Sequence, residues 1–304
     1  MMETIEETKI NIVKLTRFDK LKGVVWYDGK FIKSSQAKTH ILDHSLHFAS
    51  SVFEGIRVYN YRPFKIKEHL KRFLQSANLL DFKIPFNIKD LEKRCDQLIK
   101  KNNIRNGYLR PIAWRGSGSM SPHSIGIGIK TAIAIWEWPS YYSKNIKEKG
   151  ISLTFAKWKR PSNESAPTQS KCSGLYQICS LSKNEAFRKG YDDALMLDYR
   201  NYVAETTSSN IFFLIKNKLV TPKADCFLNG ITRKTVIKLC KKLKISVVEK
   251  HILKKDIINA EECFVTGTAA EITPVNRIEN IKYKIYKDSI TNKIYGEFKK
   301  LIQD

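Results

Sequence analysis

Hydrophobic residues recur with two different periods along the first half of the chain. Residues 24–27 and 30–33 have strand-like composition and flank Asp28-Gly29, a pair that tolerates the positive φ angles of a tight turn, so this segment predicts a β-hairpin. Apolar residues then recur at i, i+3, i+4 and i+7 from Leu70 to Ala77, which predicts a helix over residues 66–80. A second helix is predicted over 88–102, and strands over 108–115 and 131–138.

The second half of the chain alternates short strand-like runs with helical stretches. Helices are predicted over 174–189 and 232–244, and strands over 151–157, 193–198, 202–205, 210–215, 218–221 and 262–266. Between the halves, Pro139, Ser140 and a run of charge over 138–149 predict an interdomain loop. The chain is therefore predicted to be an α/β (α+β) protein of two domains, residues 1–137 and 150–304, with a cleft between them.

Composition narrows the class of protein further. The 304 residues carry a net charge of +24, but only 13 of the 54 basic residues are arginine and the lysines are spread along the whole chain. This distribution favours a solvated surface over a nucleic-acid-binding footprint. No apolar run approaches the roughly 20 residues of a membrane span, and the N-terminus lacks the apolar stretch of a secretory signal. The six cysteines form no C-x-x-C pair, and His44 and His47 lack acidic partners, so we expect a cytoplasmic protein with reduced thiols and no metal.

Three segments are candidates for holding an anion. Gly230 precedes a predicted helix, whose first backbone N–H groups, those of Ile231 and Thr232, would be free to bind a phosphate. The alternative is an ordinary helix start capped by Thr232. The small residues of segment 266–271 would expose backbone donors, or form a structural turn. Arg72 is either a third anion ligand or a surface arginine.

One lysine lies in an unusual setting. Lys171 is surrounded by mostly small, neutral residues over 166–176, although the chain as a whole is rich in lysine. A desolvated lysine loses its proton more easily and becomes a nucleophilic amine. Lys171 is therefore a candidate nucleophile.

Together these segments resemble the branched-chain amino acid aminotransferases, members of the fold-type IV group of pyridoxal phosphate enzymes. The group's signature matches, in order and spacing, the residues from Glu205 through Asn210-Ile211-Phe212 to Arg233. Four more blocks match: HSLHFASSVFEGIRVY (44–59), EHLKRF (68–73), GYLRP (107–111) and GTAAEITPV (267–275). The resemblance covers residues 24–280 and implies a small N-terminal α/β domain and a larger C-terminal pseudo-barrel α/β domain.

The resemblance also implies pyridoxal 5'-phosphate as the cofactor and assigns its ligands. Lys171 would bind the cofactor aldehyde and then move the substrate proton. Glu205 would face the pyridine nitrogen and keep it protonated, and Tyr176 would donate to the phenolic oxygen of the ring. The phosphate would be held by Arg72, by the backbone of Ile231 and Thr232, and by Thr268.

For the substrate, the resemblance implies a second set of residues. The α-carboxylate would lie near the Tyr108 hydroxyl and the backbone N–H groups of Thr268 and Ala269. Arg110, on the same face of a predicted strand as Tyr108, would pair with the distal carboxylate of glutamate or 2-oxoglutarate. Phe53 and Trp138 would form the walls of the side-chain pocket, although core packing is the alternative for both.

The implied reaction is the transamination of L-leucine, L-isoleucine and L-valine with 2-oxoglutarate. Two departures from the family pattern bear on substrates: Phe48 replaces a common tyrosine, and residues 206–209 read Thr-Thr-Ser-Ser, a variant also found in D-amino acid aminotransferases. A D-amino acid aminotransferase and an aminodeoxychorismate lyase therefore remain alternatives, as does a basic nucleic-acid-binding protein on an enzyme-like fold. Family members are dimers or trimers of dimers, and Phe48 and segment 116–122 are candidates to reach a neighbouring subunit's site.

Overall fold

A computed structural model of the chain describes residues 17–138 and 144–303. The helices are α1 (His44–Phe48), α2 (Ile66–Asn78), α3 (Ile88–Asn102), α4 (Lys144–Lys149), α5 (Gln177–Arg188), α6 (Ile231–Lys242) and α7 (Ile290–Gln303). Four 3₁₀ helices cover Phe18–Lys20, Ser34–Gln36, Ser173–Tyr176 and Lys254–Asn259. The strands are β1 (Val24–Tyr27), β2 (Lys30–Lys33), β3 (Ser51–Phe53), β4 (Ile56–Tyr59), β5 (Arg62–Pro63), β6 (Gly107–Arg115), β7 (Ile129–Glu137), β8 (Ile151–Phe155), β9 (Asp193–Leu197), β10 (Val203–Thr206), β11 (Asn210–Ile215), β12 (Lys218–Pro222), β13 (Val247–Lys250), β14 (Glu262–Gly267), β15 (Glu271–Ile278) and β16 (Ile281–Lys282).

The first sheet is antiparallel and has the order β2-β1-β7-β6-β4-β5, with β3 also paired to β6. The predicted hairpin is present, and Asp28 and Gly29 both have positive φ, as a tight primed turn requires. Helices α2 and α3 bury their apolar stripes against this sheet, where Leu70, Phe73 and Trp26 are fully buried. Burial of these large side chains is the main force holding the helices in place.

The second sheet is mixed and has the order β10-β9-β8-β15-β14-β11-β12-β13, with β16 on β15. Strand β8 is parallel to both β9 and β15, and β12 is parallel to β13. The successive residues Phe212 and Phe213 of β11 are both fully buried and belong to different core clusters. Apolar groups therefore cover both faces of β11, as expected for a central strand packed on two sides.

The segment that carries Lys171 runs between β8 and α5 and is attached to the first sheet. The backbone N–H of Phe53 donates to the Lys171 carbonyl at 3.1 Å, and the Lys171 N–H donates to the Ser76 hydroxyl at 2.9 Å. Val52 and Cys172 form an isolated antiparallel bridge. A segment from the second half of the chain is thus anchored by β3 and α2 of the first half.

Several elements differ from their predicted bounds. The predicted helix over 174–189 starts as a 3₁₀ turn at Ser173–Tyr176 before α5 begins. The predicted loop over 138–149 is wrong at its end, because residues 144–149 form α4; residues 139–143 lie outside the described part. The division into domains at 1–137 and 150–304 stays a prediction, although the two sheets lie on either side of it. None of the helices in the described part is both long and apolar enough to cross a bilayer.

Candidate active site

A cavity of about 580 Å³ lies between α2, the Lys171 segment and the ends of β10, β14 and α6. It is lined by all the residues expected to hold a cofactor: Arg72, Lys171, Tyr176, Glu205, Ile231, Thr232 and Thr268. These residues span nearly 200 positions of sequence but share one cavity. The three separate anion-binding candidates are therefore parts of a single site.

Lys171 lies in the cavity with its amine beside aromatic rings. Its Nζ donates to the Tyr176 hydroxyl at 2.6 Å and lies 4.9 Å from the centre of the Phe53 ring. Burial lowers the pKa of Lys171 to about 8, and the nearby positive charge of Arg72 contributes in the same direction. The neutral, nucleophilic amine is therefore available at a much lower pH than for a solvated lysine.

Glu205 lies in β10 and is held by two residues that the sequence analysis did not assign. The Asn210 amide donates to its Oε2 at 3.2 Å, and Arg160 Nε lies 3.5 Å from its Oε1. Burial raises the pKa of Glu205 to about 7, although Arg160 and Lys171 act in the opposite direction. A carboxyl group poised near neutrality can hold or release a proton on demand, as acid–base chemistry requires.

Arg72 projects from α2 and is fixed by a buried carboxylate. Its Nε and Nη2 donate to the two carboxylate oxygens of Glu54 at 2.5 and 2.9 Å, in a bidentate arrangement. Glu54 is completely buried and also bonds to His69 Nδ1 at 2.7 Å. Although burial opposes ionisation, the positive charge of Arg72 holds the pKa of Glu54 well below its usual value. Arg72 is thus locked in one orientation at the rim of the cavity.

The turn that enters α6 approaches its neighbours too closely for a side chain. A Cβ on Gly230 would lie 2.2 Å from Asn210 Oδ1, and a Cβ on Gly267 would lie 2.8 Å from Ser209 Oγ. Gly230 is the N-cap of α6 and no side chain caps the helix, so the expected alternative of a Thr232 cap is wrong. The φ angle of Gly230 is an ordinary −58°, which shows that close approach, not a special turn, requires glycine here.

The residues expected to contact substrate lie beside Lys171. Arg110 and Tyr108 share one face of β6, as predicted, because the Arg110 guanidinium lies 5.4 Å from the Tyr108 ring centre. The same guanidinium lies 4.9 Å from the Phe53 ring, and the Tyr108 and Trp138 rings are 4.7 Å apart. Phe53 and Trp138 therefore belong to one aromatic group around Arg110. Thr268 lines the cavity, and Ala269 follows it in the turn between β14 and β15.

Comparisons with known proteins match this geometry. The family model of the class IV amino-transferases matches residues 51–278. A probable branched-chain-amino-acid aminotransferase of Rickettsia felis is 40% identical over 283 residues, which are 92% of this chain and 96% of the relative. The branched-chain-amino-acid aminotransferase of Pseudomonas aeruginosa is 34% identical over 86% of both chains. The Escherichia coli branched-chain amino acid aminotransferase structure superposes with a TM-score of 0.89 at 33% identity, covering 93% of this chain and 95% of that chain.

This chain belongs to the branched-chain-amino-acid aminotransferases of class IV. It is therefore an aminotransferase, and the predicted α/β (α+β) fold-type IV architecture is confirmed.

In this aminotransferase the sequence analysis missed Glu54, Arg160 and Asn210 as parts of the site. Glu54 and Asn210 lie inside motif blocks that matched the family, so the blocks themselves were the signal. Arg160 lies in the segment after β8, outside any quoted motif, and only the fold brings its side chain to Glu205. A search for a buried cation opposite a buried acid needs coordinates.

The remaining candidates have local roles in the aminotransferase fold. His44 bonds through its two ring nitrogens to Ser50 Oγ and to the Ser121 carbonyl, at 2.8 and 3.1 Å. His47 Nε2 bonds to the Ile41 carbonyl at 2.9 Å. Cys172 is buried in the core of the first sheet, as expected for packing. The variant residues Thr207, Ser208 and Ser209 line the cavity, so their hydroxyls and backbone form part of its wall.

Proposed function

We propose that this chain catalyses the pyridoxal phosphate-dependent transamination of L-leucine, L-isoleucine and L-valine with 2-oxoglutarate, giving branched 2-oxo acids and L-glutamate. The observation that carries the proposal is a buried Lys171 amine in the same cavity as Glu205 and the anion-binding group around Arg72. Three solved structures of branched-chain amino acid aminotransferases, each 34% identical to this chain, contain pyridoxamine 5'-phosphate, N-(5'-phosphopyridoxyl)-L-glutamate and 4-methylvaleric acid, respectively. Those ligands match the cofactor and both substrate classes proposed here.

The residues present fit a phosphorylated pyridoxal cofactor. Thr266 Oγ1 is buried in the cavity wall without a hydrogen-bond partner among the described residues. The Arg72 guanidinium keeps N–H groups beyond the two that bind Glu54. The backbone donors at the start of α6 and the close approach at Gly267 complete a cradle for a phosphate. We propose that Arg72, Ile231, Thr232 and Thr268 hold the phosphate there.

When bound, pyridoxal phosphate supplies the electron sink that stabilises a substrate carbanion. Glu205 would hold the pyridinium proton, and Arg160 and Asn210 keep its carboxylate oriented toward the cavity. Lys171 would take the substrate α-proton as a neutral amine and return it to the other carbon. Tyr176, 2.6 Å from the amine, keeps Nζ in place and is available to the ring oxygen.

The substrate end of the site is proposed to accept two kinds of side chain in turn. Tyr108 and the turn at Thr268 and Ala269 would bind the α-carboxylate common to all the substrates. Phe53 and Trp138 would contact an aliphatic side chain, and Arg110 would pair with the distal carboxylate of glutamate. Arg110 lies within contact of both Phe53 and Tyr108, so one pocket can serve both half-reactions.

We also propose that the enzyme is a cytoplasmic homo-oligomer, dimer or trimer of dimers. Large apolar side chains are exposed on α1 and on the loop between β6 and β7, among them Ile41, Leu46, Phe48, Met120 and Ile125. Such a concentration of exposed apolar surface is typical of a covered interface. Phe48 and the 116–122 segment lie in these two exposed regions, where a second copy would meet them. Size-exclusion chromatography with light scattering tests the assembly, and a monomer at micromolar concentration would contradict it.

The decisive experiment mixes the purified protein with pyridoxal phosphate and follows the cofactor absorbance during titration with single amino acids. We expect L-leucine, L-isoleucine, L-valine and L-glutamate to bleach the cofactor band. A response to D-alanine instead would support a D-amino acid aminotransferase, and release of pyruvate from aminodeoxychorismate would support the lyase. Tight, salt-sensitive binding of nucleic acid without any response of the cofactor band would favour the binding-protein alternative.

A further inference from the structure

Two neighbouring side chains of the first sheet reach across to parts of the substrate end. Arg57 and Tyr59 alternate along β4, so both project from the same face, and Arg57 pairs directly opposite Tyr108 of β6. The Arg57 guanidinium lies 5.0 Å from the centre of the Tyr59 ring. Each side chain then bonds to a different element.

The Tyr59 hydroxyl donates to Glu271 Oε1 at 2.8 Å, joining residues that are 212 positions apart. Glu271 is the first residue of β15 and follows the turn formed by Thr268, Ala269 and Ala270. Burial and the Glu271 carboxylate both raise the pKa of Tyr59, so the hydroxyl remains a protonated donor at every physiological pH. Arg57 donates through Nη1 to the Trp138 carbonyl.

The backbone of Glu271 is in an unfavourable conformation. Its φ angle is +54°, in the left-handed region where a residue with a Cβ is disfavoured relative to glycine. Glu271 is nevertheless buried, and its carboxylate reaches the other sheet. The bond to Tyr59 offsets part of this strain and fixes the direction in which the preceding turn points.

We propose that Tyr59, Glu271 and Arg57 act as an intersheet latch, which positions the Thr268–Ala270 turn and Trp138 for binding of the substrate α-carboxylate and side chain. This inference rests on the proposed function. The latch residues are positioning residues, because they act through Trp138 and the turn. Its effect falls on substrate affinity, since the phosphate ligands Arg72, Ile231 and Thr232 lie on other elements.

The first test is Tyr59→Phe, which removes one hydroxyl and keeps the ring. We expect KM for L-leucine to rise about three- to tenfold, the effect of losing one hydrogen bond, while kcat stays within about twofold. Cofactor affinity, measured by titrating apoenzyme, is expected to remain unchanged. The matched control is Tyr61→Phe, because the Tyr61 hydroxyl donates to Asn103 in the same hairpin region but on the exposed side. This control is expected to leave every parameter unchanged.

The second variant, Glu271→Gly, separates the tether from the backbone strain. Glycine adopts the positive φ without cost, so the fold is expected to keep its thermal stability. The substrate KM is nevertheless expected to rise as in Tyr59→Phe, because the tether is gone. Glu271→Gln keeps an acceptor oxygen of similar reach and is expected to restore most of the substrate affinity.

Hydrogen exchange gives a readout that does not depend on activity. In Tyr59→Phe, amides of residues 268–271 are expected to exchange faster, while those of residues 231–234 at the start of α6 keep their rates. An unchanged KM together with unchanged exchange would overturn the latch. Equal losses of cofactor and substrate affinity would also overturn it, since the bond would then stabilise the contact between the sheets in general. If the wild-type protein shows no transamination, the proposed function fails, whereas the exchange experiment still decides whether the turn is tethered.

Discussion

The two ends of the candidate site are built from different interactions. At the cofactor end, charged groups are paired with buried partners: Arg72 with Glu54 in two hydrogen bonds, and Glu205 with Arg160 and Asn210. At the substrate end, the Arg110 guanidinium lies over two aromatic rings, and its buried Nε has no hydrogen-bond partner among the described residues. One end is bonded within the chain, whereas the other keeps a cation that no carboxylate holds in the described part.

This difference matches the tasks proposed for the two ends. Charge-assisted hydrogen bonds are strong and directional, so they preset the cofactor end for one ligand. A cation over aromatic faces is held more weakly, by about 0.5–2 kcal/mol per contact. Arg110 can therefore turn to a carboxylate at small cost and return to the rings when an aliphatic side chain enters. Substitutions at the two ends are expected to have distinct signatures.

The largest effect is expected at the cofactor end from Lys171→Ala. Transamination is expected to fall by several orders of magnitude, because no other cavity side chain can both bind the cofactor aldehyde and move the proton. Turnover is measured with saturating L-leucine and 2-oxoglutarate, and thermal stability checks the fold. Lys189→Ala is the control, since that lysine is paired only with Glu185 on the surface. Near-normal turnover in Lys171→Ala would remove the basis of the proposed function.

Glu205→Gln comes next in size. It keeps the volume and the Asn210 contact but removes the carboxylate expected at the pyridine nitrogen, and it leaves the positive charge of Arg160 facing that nitrogen. We expect a loss of about 10²–10³ in the single-turnover rate, the range found when one preorganised electrostatic group is removed. Glu185→Gln, at an exposed site, provides the comparison. A loss below tenfold would mean that Glu205 has no electronic role.

The cofactor end was largely predictable from the sequence, for a physical reason. Its groups lie where the chain geometry is tightly restricted, such as the N-terminus of α6 at Gly230 and the close approach at Gly267. Such positions leave long motifs, and these located Lys171 and Glu205 before any coordinates. The helices over residues 66–80 and 88–102 were equally predictable, because each buries one apolar stripe.

The rest depended on contacts between segments far apart in the chain. Arg160 meets Glu205 only because β8 and β9 are parallel neighbours that bring residue 160 beside β10. The bond from Tyr59 to Glu271 joins two sheets and has no local signal. Short elements such as α1 and β3 lie within motif blocks whose apolar pattern is too brief to show a period.

At the substrate end, Arg110→Met sharpens the comparison with a middle-sized and selective effect. Methionine keeps apolar contact with Phe53 and Tyr108 but cannot pair with a distal carboxylate. We expect kcat/KM for L-glutamate to fall about 10- to 100-fold, while that for L-leucine stays within about threefold. Arg94→Met, on the outside of α3, is the control. Equal losses for both amino acids would show that Arg110 supports the whole pocket instead of one substrate class.

The smallest effect, in the pH dependence of cofactor capture, returns to the cofactor end. Burial and the Arg72 charge lower the pKa of Lys171 to about 8, and only its neutral amine attacks an aldehyde. The neutral fraction rises with pH until the pKa is passed, so the rate at which apoenzyme binds pyridoxal phosphate is expected to increase about fivefold from pH 7 to pH 8 and then to level off. Stopped-flow absorbance measures this rate. In Arg72→Gln the positive neighbour is lost, so the pKa of Lys171 rises and the midpoint moves to higher pH. A midpoint that stays near 8 in this variant would show that burial alone sets the reactivity of the lysine.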